Sequence, residues 1–273
     1  YSGQKIKTEI ISQSEKDLRI NLFIKYWGKE DKLIKLSSDD FNLRSKENNT
    51  IEWVVPDTFA NPIGQIGISI NSDDNVSGKI LINYLNISGT PKMTFRRPDH
   101  IDEYKRGIFY KEEVYGQLWK RAWVNDVDKW QYRHNESFKV VRGIGRGHIM
   151  TGSETWKDYS ISSKISIPLA SAAGLIVRSQ GLKRYYSLEL TSENKLKINK
   201  MEYELKTLNE IDFNLEYFKE YDLKFKVDGN KLQGYVDNQL LIEAEDSSNP
   251  FEEGMMGFLT ENGAIQSNSI SIE

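Results

Sequence analysis

The chain contains no cysteine. That excludes a disulfide framework, a thiolate zinc site and a cysteine nucleophile. Histidine is scarce: His100, His134 and His148 are scattered and lack the spacing of a metal site. No apolar run approaches the ~20 residues that a membrane-spanning helix needs. No charge of one sign dominates either. Lys and Arg number 37 against 40 Asp and Glu, for a net charge of −3. Residues 1–98 carry +2 (14 against 12) and the remainder −5 (23 against 28). A balance of that kind points to neither nucleic acid nor an anionic membrane as partner. The missing cysteines suit a reducing cytoplasm, and many exported bacterial proteins lack cysteine too, so both compartments stay open. The chain begins Tyr1-Ser2-Gly3 without a methionine, and is expected to be an excised or processed piece of a longer protein.

Several catalytic signatures are also absent. There is no Gly-x-Ser-x-Gly, no phosphate loop and no dinucleotide fingerprint. Gly143-Ile144-Gly145-Arg146-Gly147 is glycine-rich but no helix follows it, so it offers no helix N-terminus to a phosphate and reads as a turn. Glu243-Ala244-Glu245-Asp246 reads as a solvated strand end. No cofactor is expected.

What is present is strand pattern. In Tyr221 to Leu259, Leu223, Phe225 and Val227 alternate with Lys224 and Lys226, the period of a strand with one buried face. Asp228-Gly229 then supplies a hairpin turn, because the turn needs positive φ. Leu232, Gly234 and Val236 continue the alternation, Leu240 to Ala244 forms a third strand, and Gly254 to Leu259 a buried closing strand. In the first half, Leu18, Ile20, Leu22 and Ile24 share one face. Thr8 to Ser12, Asp31 to Leu36, Ile51 to Val55, Ile66 to Ile70 and Lys79 to Ile87 add further strands. No helix of three turns is expected. The fold class is all-β, two tandem antiparallel β-sandwiches or jelly rolls.

Two resemblances accompany these patterns. "YDLKFKVDGNKLQGYVDNQLLIEAED" followed by "GMMGFLTENGAIQSNSISIE", with "WKDYSISSKISIPLASAAGLIVRSQGLKRYYSLEL" upstream, resembles a concanavalin A-like (laminin G-like) jelly roll. "AGLIVRSQGLKRYYSLEL" is similar to the sandwich that follows the catalytic domain in some bacterial ADP-ribosylglycohydrolase-family proteins. "TIEWVVPD" and "IGQIGISINSDDNVSGKILINYLNISGTP" resemble the last strands of a galactose-binding-like jelly roll. The implied organisation is a galactose-binding-like sandwich at 1–96, a linker at 97–112 and a concanavalin A-like sandwich at 113–273. The tryptophans Trp119, Trp123 and Trp130 are expected to pack across the junction.

The resemblance implies accessory modules for carbohydrate or an ADP-ribose-type ligand, attached to an upstream catalytic domain. That family's acidic metal-binding clusters have no counterpart in this chain. Glycosidases of the concanavalin-like fold place carboxylates as Glu-x-Asp-x-x-Glu on one strand, and that pattern is missing as well. A binding module is therefore favoured over a glycoside hydrolase, with a ligand-free scaffold as the other alternative. A structural calcium ion would suit the resemblance, but no spacing assigns it a site; the oxygen-rich Asn71 to Asn75 lacks the rest of a calcium loop.

Strand alternation selects the candidate ligand residues. Arg178, Tyr185, Glu189, Gln233 and Tyr235 all point away from their strands' apolar faces, and adjacent strands would gather them on one polar-aromatic face. Trp156 is a candidate stacking platform at a loop. The ordinary alternative is an Arg178–Glu189 cross-strand pair under tyrosine cover.

Overall fold

The computed structural model describes residues 1–71, 76–99, 118–131 and 136–273. Strands make up 63% of the described residues and helix 3%. In order they are β1 Lys5–Ser12, β2 Leu18–Trp27, β3 Leu33–Ser37, β4 Phe41–Leu43, β5 Asn48–Val54, β6 Ile63–Asn71, β7 Ile80–Ser88 and β8 Met93–Phe95. Then follow a short helix α1 Leu118–Arg121, β9 Val124–Asn125, β10 Lys129–Gln131, β11 Phe138–Thr151, β12 Tyr159–Leu169, β13 Ala172–Ser179 and β14 Arg184–Thr191. The last are β15 Lys195–Glu202, β16 Glu204–Asp212, β17 Glu220–Asp228, β18 Lys231–Val236, β19 Gln239–Glu245, β20 Met255–Ser267 and β21 Ile270–Ile272. The far-ultraviolet circular dichroism spectrum should show a single strand-type minimum; a helical double minimum would contradict this architecture.

The chain divides into two compact units, with Tyr1–Met93 as the body of the first and Lys120–Glu273 that of the second. Most of the expected 97–112 linker, with His100, lies outside the described residues, as do His134 and most of the Asn71 to Asn75 loop.

In the first unit, β1 pairs β5 on one side and β7 on the other, while β2 pairs β3 and β4 on one side and β6 on the other. The alternation of β1 and β2 dictates the core. Ile6 and Ile10 meet Leu18, Ile20, Leu22 and Ile24, closed by Leu43, Ile51 and Val55. Each such side chain contributes roughly 1.5–3 kcal/mol by leaving water.

The second unit is a sandwich in which two long strands serve both layers. The first part of β20 pairs with β13 and its last residues pair with β12. β11 accompanies β20 on its other side, with a register shift between Arg142 and Arg146. The run Gly143 to Gly147 is therefore a bulge within one strand rather than the expected turn. Gly145 takes φ +73 and Ile144 is turned out to 86% exposure. Such bulges bend a strand and re-aim its side chains.

One layer runs β16-β15-β14-β13-β20 and the other β20-β12-β17-β18-β19. Leu175, Leu188, Leu190 and Ile198 of the first face the core with Leu223, Phe225, Val227 and Val236 of the second, all buried. Gly234 shows how tightly the layers close: a Cβ there would lie 2.5 Å from the Leu188 Cδ1 atom. Trp123 and Trp130 join Phe95, Phe138 and Phe258 of the second unit in an aromatic cluster with ring centroids 5.1–5.7 Å apart.

Candidate functional site

The packing of Gly234 on Leu188 separates the sequence-derived candidates. Leu188 points into the core, so its strand neighbours Ser187 and Glu189 point outward from the first layer. Gly234 points into the core from the opposite side, so Gln233 and Tyr235 point outward from the second layer. Tyr185 and Glu189 therefore lie on one outer face of the sandwich, and Gln233 and Tyr235 on the other. The expected common face does not form.

Arg178 belongs to neither group. It sits in a bulge of β13, where the register to β20 shifts between Ile176 and Ser179 and Arg178 takes φ +47. That rotation breaks the strand's alternation. The guanidinium is 1% exposed and donates to the carbonyls of Lys157 (3.0 Å), Gly229 (2.5 Å) and Phe251 (2.8 Å) and to Asp158 Oδ1 (2.7 Å). The expected pair with Glu189 is absent. Trp156 is also buried, with its ring against Gly152 and edge-on to Tyr159 at 6.2 Å, so it offers no platform to a ligand. Gln233 donates to Glu243 Oε1 at 2.6 Å, and the Tyr235 hydroxyl meets Gln233 at 3.4 Å.

The partner of Glu189 is Arg146. Two parallel hydrogen bonds of 2.7 and 2.9 Å join the guanidinium to the carboxylate. Arg146 Nε also lies 2.8 Å from Glu261 Oε2. The side chains of Glu189, Arg146 and Glu261 are 1%, 17% and 27% exposed, so the cluster opens toward solvent at Arg146 and Glu261. Ser187 donates to Glu189, and Thr207 donates to Asn199 Oδ1 at 2.8 Å on the neighbouring strands. The bulge at Gly143 to Gly147 brings Arg146 onto this face. Reading that run as a turn hid it. The available signal was a glycine run flanked by Arg142, Arg146 and His148 inside an otherwise strand-like stretch.

Burial alone would raise the Glu189 carboxyl. Its hydrogen bonds from and charge pairing with Arg146, and the hydroxyl of Ser187, hold it below the usual carboxylate range. Burial likewise opposes the Arg146 charge, and the Glu189 carboxylate more than restores it. The pair is thus ionised.

Two polar side chains beside it make no well-formed hydrogen bond. His148, 3% exposed, leaves both ring nitrogens without a hydrogen bond, and Tyr185, fully buried, leaves its hydroxyl so. Their rings lie 5.4 Å apart. Burial lowers the His148 pKa to about 4 and raises that of the Tyr185 hydroxyl. Such orphaned groups are unusual in a folded protein, where buried polar atoms find partners. Leu259, Ile176 and Met201 complete an apolar patch around Tyr185. Among the described residues, no group of three or more His, Asp or Glu is placed to hold a metal ion.

No protein-family model matches the sequence, and no curated protein matches it. Solved structures do resemble it. A galectin-like-fold protein of unknown function from Bacillus subtilis aligns with 57% of this chain and 91% of its own at TM-score 0.48 and 9% identity. The galectin LEC-6 of Caenorhabditis elegans aligns with 56% of this chain and 96% of its own at TM-score 0.38 and 10% identity. The carbohydrate-binding module CBM66 from Bacillus subtilis aligns with 56% of this chain and 95% of its own at TM-score 0.51 and 22% identity. Over that share, the chain has the antiparallel β-sandwich fold of CBM66.

Proposed function

We propose that the second unit is a non-catalytic carbohydrate-binding module, and that the outer face bearing Arg146, Glu189, Glu261, Tyr185 and His148 receives the sugar. The carrying observation is the Arg146 clamp between two carboxylates, open to solvent at Glu261 and backed by Tyr185 and His148. Carbohydrate sites pair hydroxyls with charged side chains, and the solvent-open side of Arg146 and Glu261 supplies them, over a base that the buried Leu259, Ile176 and Met201 hold in place. The sandwich likeness to a carbohydrate-binding module supports the same reading.

The ligand is a neutral sugar rather than an ADP-ribose-type molecule. A diphosphate needs an uncommitted cation, and the described cations of this face are paired: Arg146 with Glu189 and Glu261, Lys195 with Asp212, Lys197 with Glu193 and Glu210. Attachment to an upstream enzyme of the ADP-ribosylglycohydrolase type rests on sequence resemblance alone. The reading frame upstream of Tyr1 tests it directly.

Two substitutions test the face. Glu261→Gln keeps the shape, removes one charge from Arg146, and should weaken binding to a neutral glycan roughly tenfold, the loss of one charge-assisted hydrogen bond. Tyr185→Phe removes a buried hydroxyl whose only polar interaction is a poorly aligned one with Arg146. Without ligand it should leave stability unchanged or raise it by as much as about 1 kcal/mol. A glycan array on which nothing binds, or binding indifferent to Glu261→Gln, would remove the proposal.

A further inference from the structure

A second cleft lies on the outer face of the other layer, apart from Arg146 and its partners. Its volume is about 640 Å³, and Lys164, Ser166, Phe218, Glu220, Gln266 and Asn268 line it. That is within the range of small-molecule sites, roughly 300–1,000 Å³. Its floor is a cross-strand row. Ser166 of β12 stands opposite Gln266 of β20 on one side and Glu220 of β17 on the other. An amide, a hydroxyl and a carboxylate are thereby set side by side at the ~4.8 Å strand spacing.

These groups are uncommitted. Among the described residues, Lys164, Ser166, Glu220, Gln266 and Asn268 have no side-chain hydrogen bond or ion pair within the chain. Their neighbours further along the same face behave differently. Lys224 pairs with Glu273 at 3.0 Å and Lys226 with Asp228 at 3.4 Å. The wall is nevertheless fixed. Ser163 and Ser267 share a hydrogen bond of 2.8 Å, and Ser163 also donates to the Ser269 carbonyl at 2.7 Å.

Phe218 stands at the rim, 72% exposed, with φ +65 and its amide anchored to the Ile167 carbonyl at 2.9 Å. A large aromatic rarely adopts that backbone region. Nothing in the core rewards its position, since the ring lies in water. An added peptide strand cannot extend the floor of the cleft between β12 and β20, because both edges of each are paired there. Lys164 is outnumbered by Glu220 and Glu136, so an anionic ligand is disfavoured. One aromatic face beside mixed donors and acceptors matches a saccharide.

We propose that this cleft is a second binding site for a neutral saccharide, with the Phe218 ring beneath a sugar ring and Gln266, Ser166, Glu220 and Lys164 on its hydroxyls. The proposal stands on different residues from the Arg146 face and does not need that face to bind.

Neutral cello-, manno-, xylo- and galacto-oligosaccharides would be titrated into the full chain while backbone amide shifts are followed by NMR. The amides of Ser166, Phe218, Glu220 and Gln266 should shift, and should still shift in Glu261→Gln. Phe218→Ala should weaken that response roughly tenfold, as loss of a stacking anchor does. Because Phe218 is exposed the variant should melt as the parent does; Gln266→Ala provides an independent second variant. Shifts confined to the Arg146 face would overturn the second site and leave the first. Shifts in the cleft that Phe218→Ala leaves intact would overturn the stacking role and the proposal with it. No shift anywhere would overturn both sites.

Discussion

Replacing Arg178 by alanine should destabilise the second unit by about 2–4 kcal/mol, the range for removing a buried side chain that holds a hydrogen-bond network together. The guanidinium gathers three backbone carbonyls and Asp158 from separate segments: Lys157 and Asp158 before β12, Gly229 in the β17–β18 turn, and Phe251 in the loop before β20. The Arg178 amide adds a hydrogen bond of 2.7 Å to the Tyr159 hydroxyl, which reaches the Gly254 carbonyl at 3.0 Å. With the side chain removed, the Phe251 carbonyl loses its donor in a buried place, while Lys157, Asp158 and Gly229 at the exposed side lose the tie that holds their segments together. Arg178→Lys should recover only part of the loss, because an ammonium cannot reproduce the planar fork that reaches all four acceptors. The denaturant midpoint of unfolding is the measurement. An unchanged midpoint in Arg178→Ala would show that the loops hold themselves in place without the arginine.

Acid should weaken the fold well above the pH at which carboxylates titrate. His148 has a folded pKa near 4 against an ordinary 6.5, chiefly because burial disfavours the imidazolium, with Arg146 and Arg142 adding to the effect and Asp126 opposing it. Between those two values the unfolded chain binds a proton that the folded chain refuses. Stability from this group is therefore complete above about pH 6.5 and is lost as pH falls toward about 4. At ~1.36 kcal/mol per pKa unit the loss is about 3 kcal/mol. Glu189 and Asp246, both held below the usual carboxylate range by their basic partners, add further losses at lower pH. His148→Leu separates the contributions: it should flatten the curve between pH 6.5 and 4 and leave the carboxylate part. Equal slopes in parent and variant would mean that imidazole protonation is not resisted by the fold.

Most of the secondary structure was legible in the sequence, because a strand with one buried face writes itself as alternation. Leu18, Ile20, Leu22 and Ile24 are all buried along β2, and Leu223, Phe225 and Val227 along β17. Asp228-Gly229 marked its hairpin, since left-handed backbone favours glycine there, and Gly229 does take φ +57. Alternation also placed Tyr185 and Glu189 correctly on the side of β14 opposite Leu188.

The site was much less legible. Alternation says which residues share a face of one strand and nothing about which layer that strand joins. Gln233 and Tyr235 therefore had the right orientation on β18 and the wrong face of the sandwich. Bulges defeat the rule altogether. One at Gly143 to Gly147 delivers Arg146 to Glu189, and another at Arg178 carries that side chain away from it. By itself the sequence determined which segments are strands and which of their sides faces the apolar core, since both follow from neighbours one or two residues away; that the other side of β13 and β14 is buried too came only from the fold. Only the tertiary structure decided which charges meet. An ion pair depends on strands brought together from distant parts of the chain, and a single extra residue in a ladder redirects the side chain that makes it.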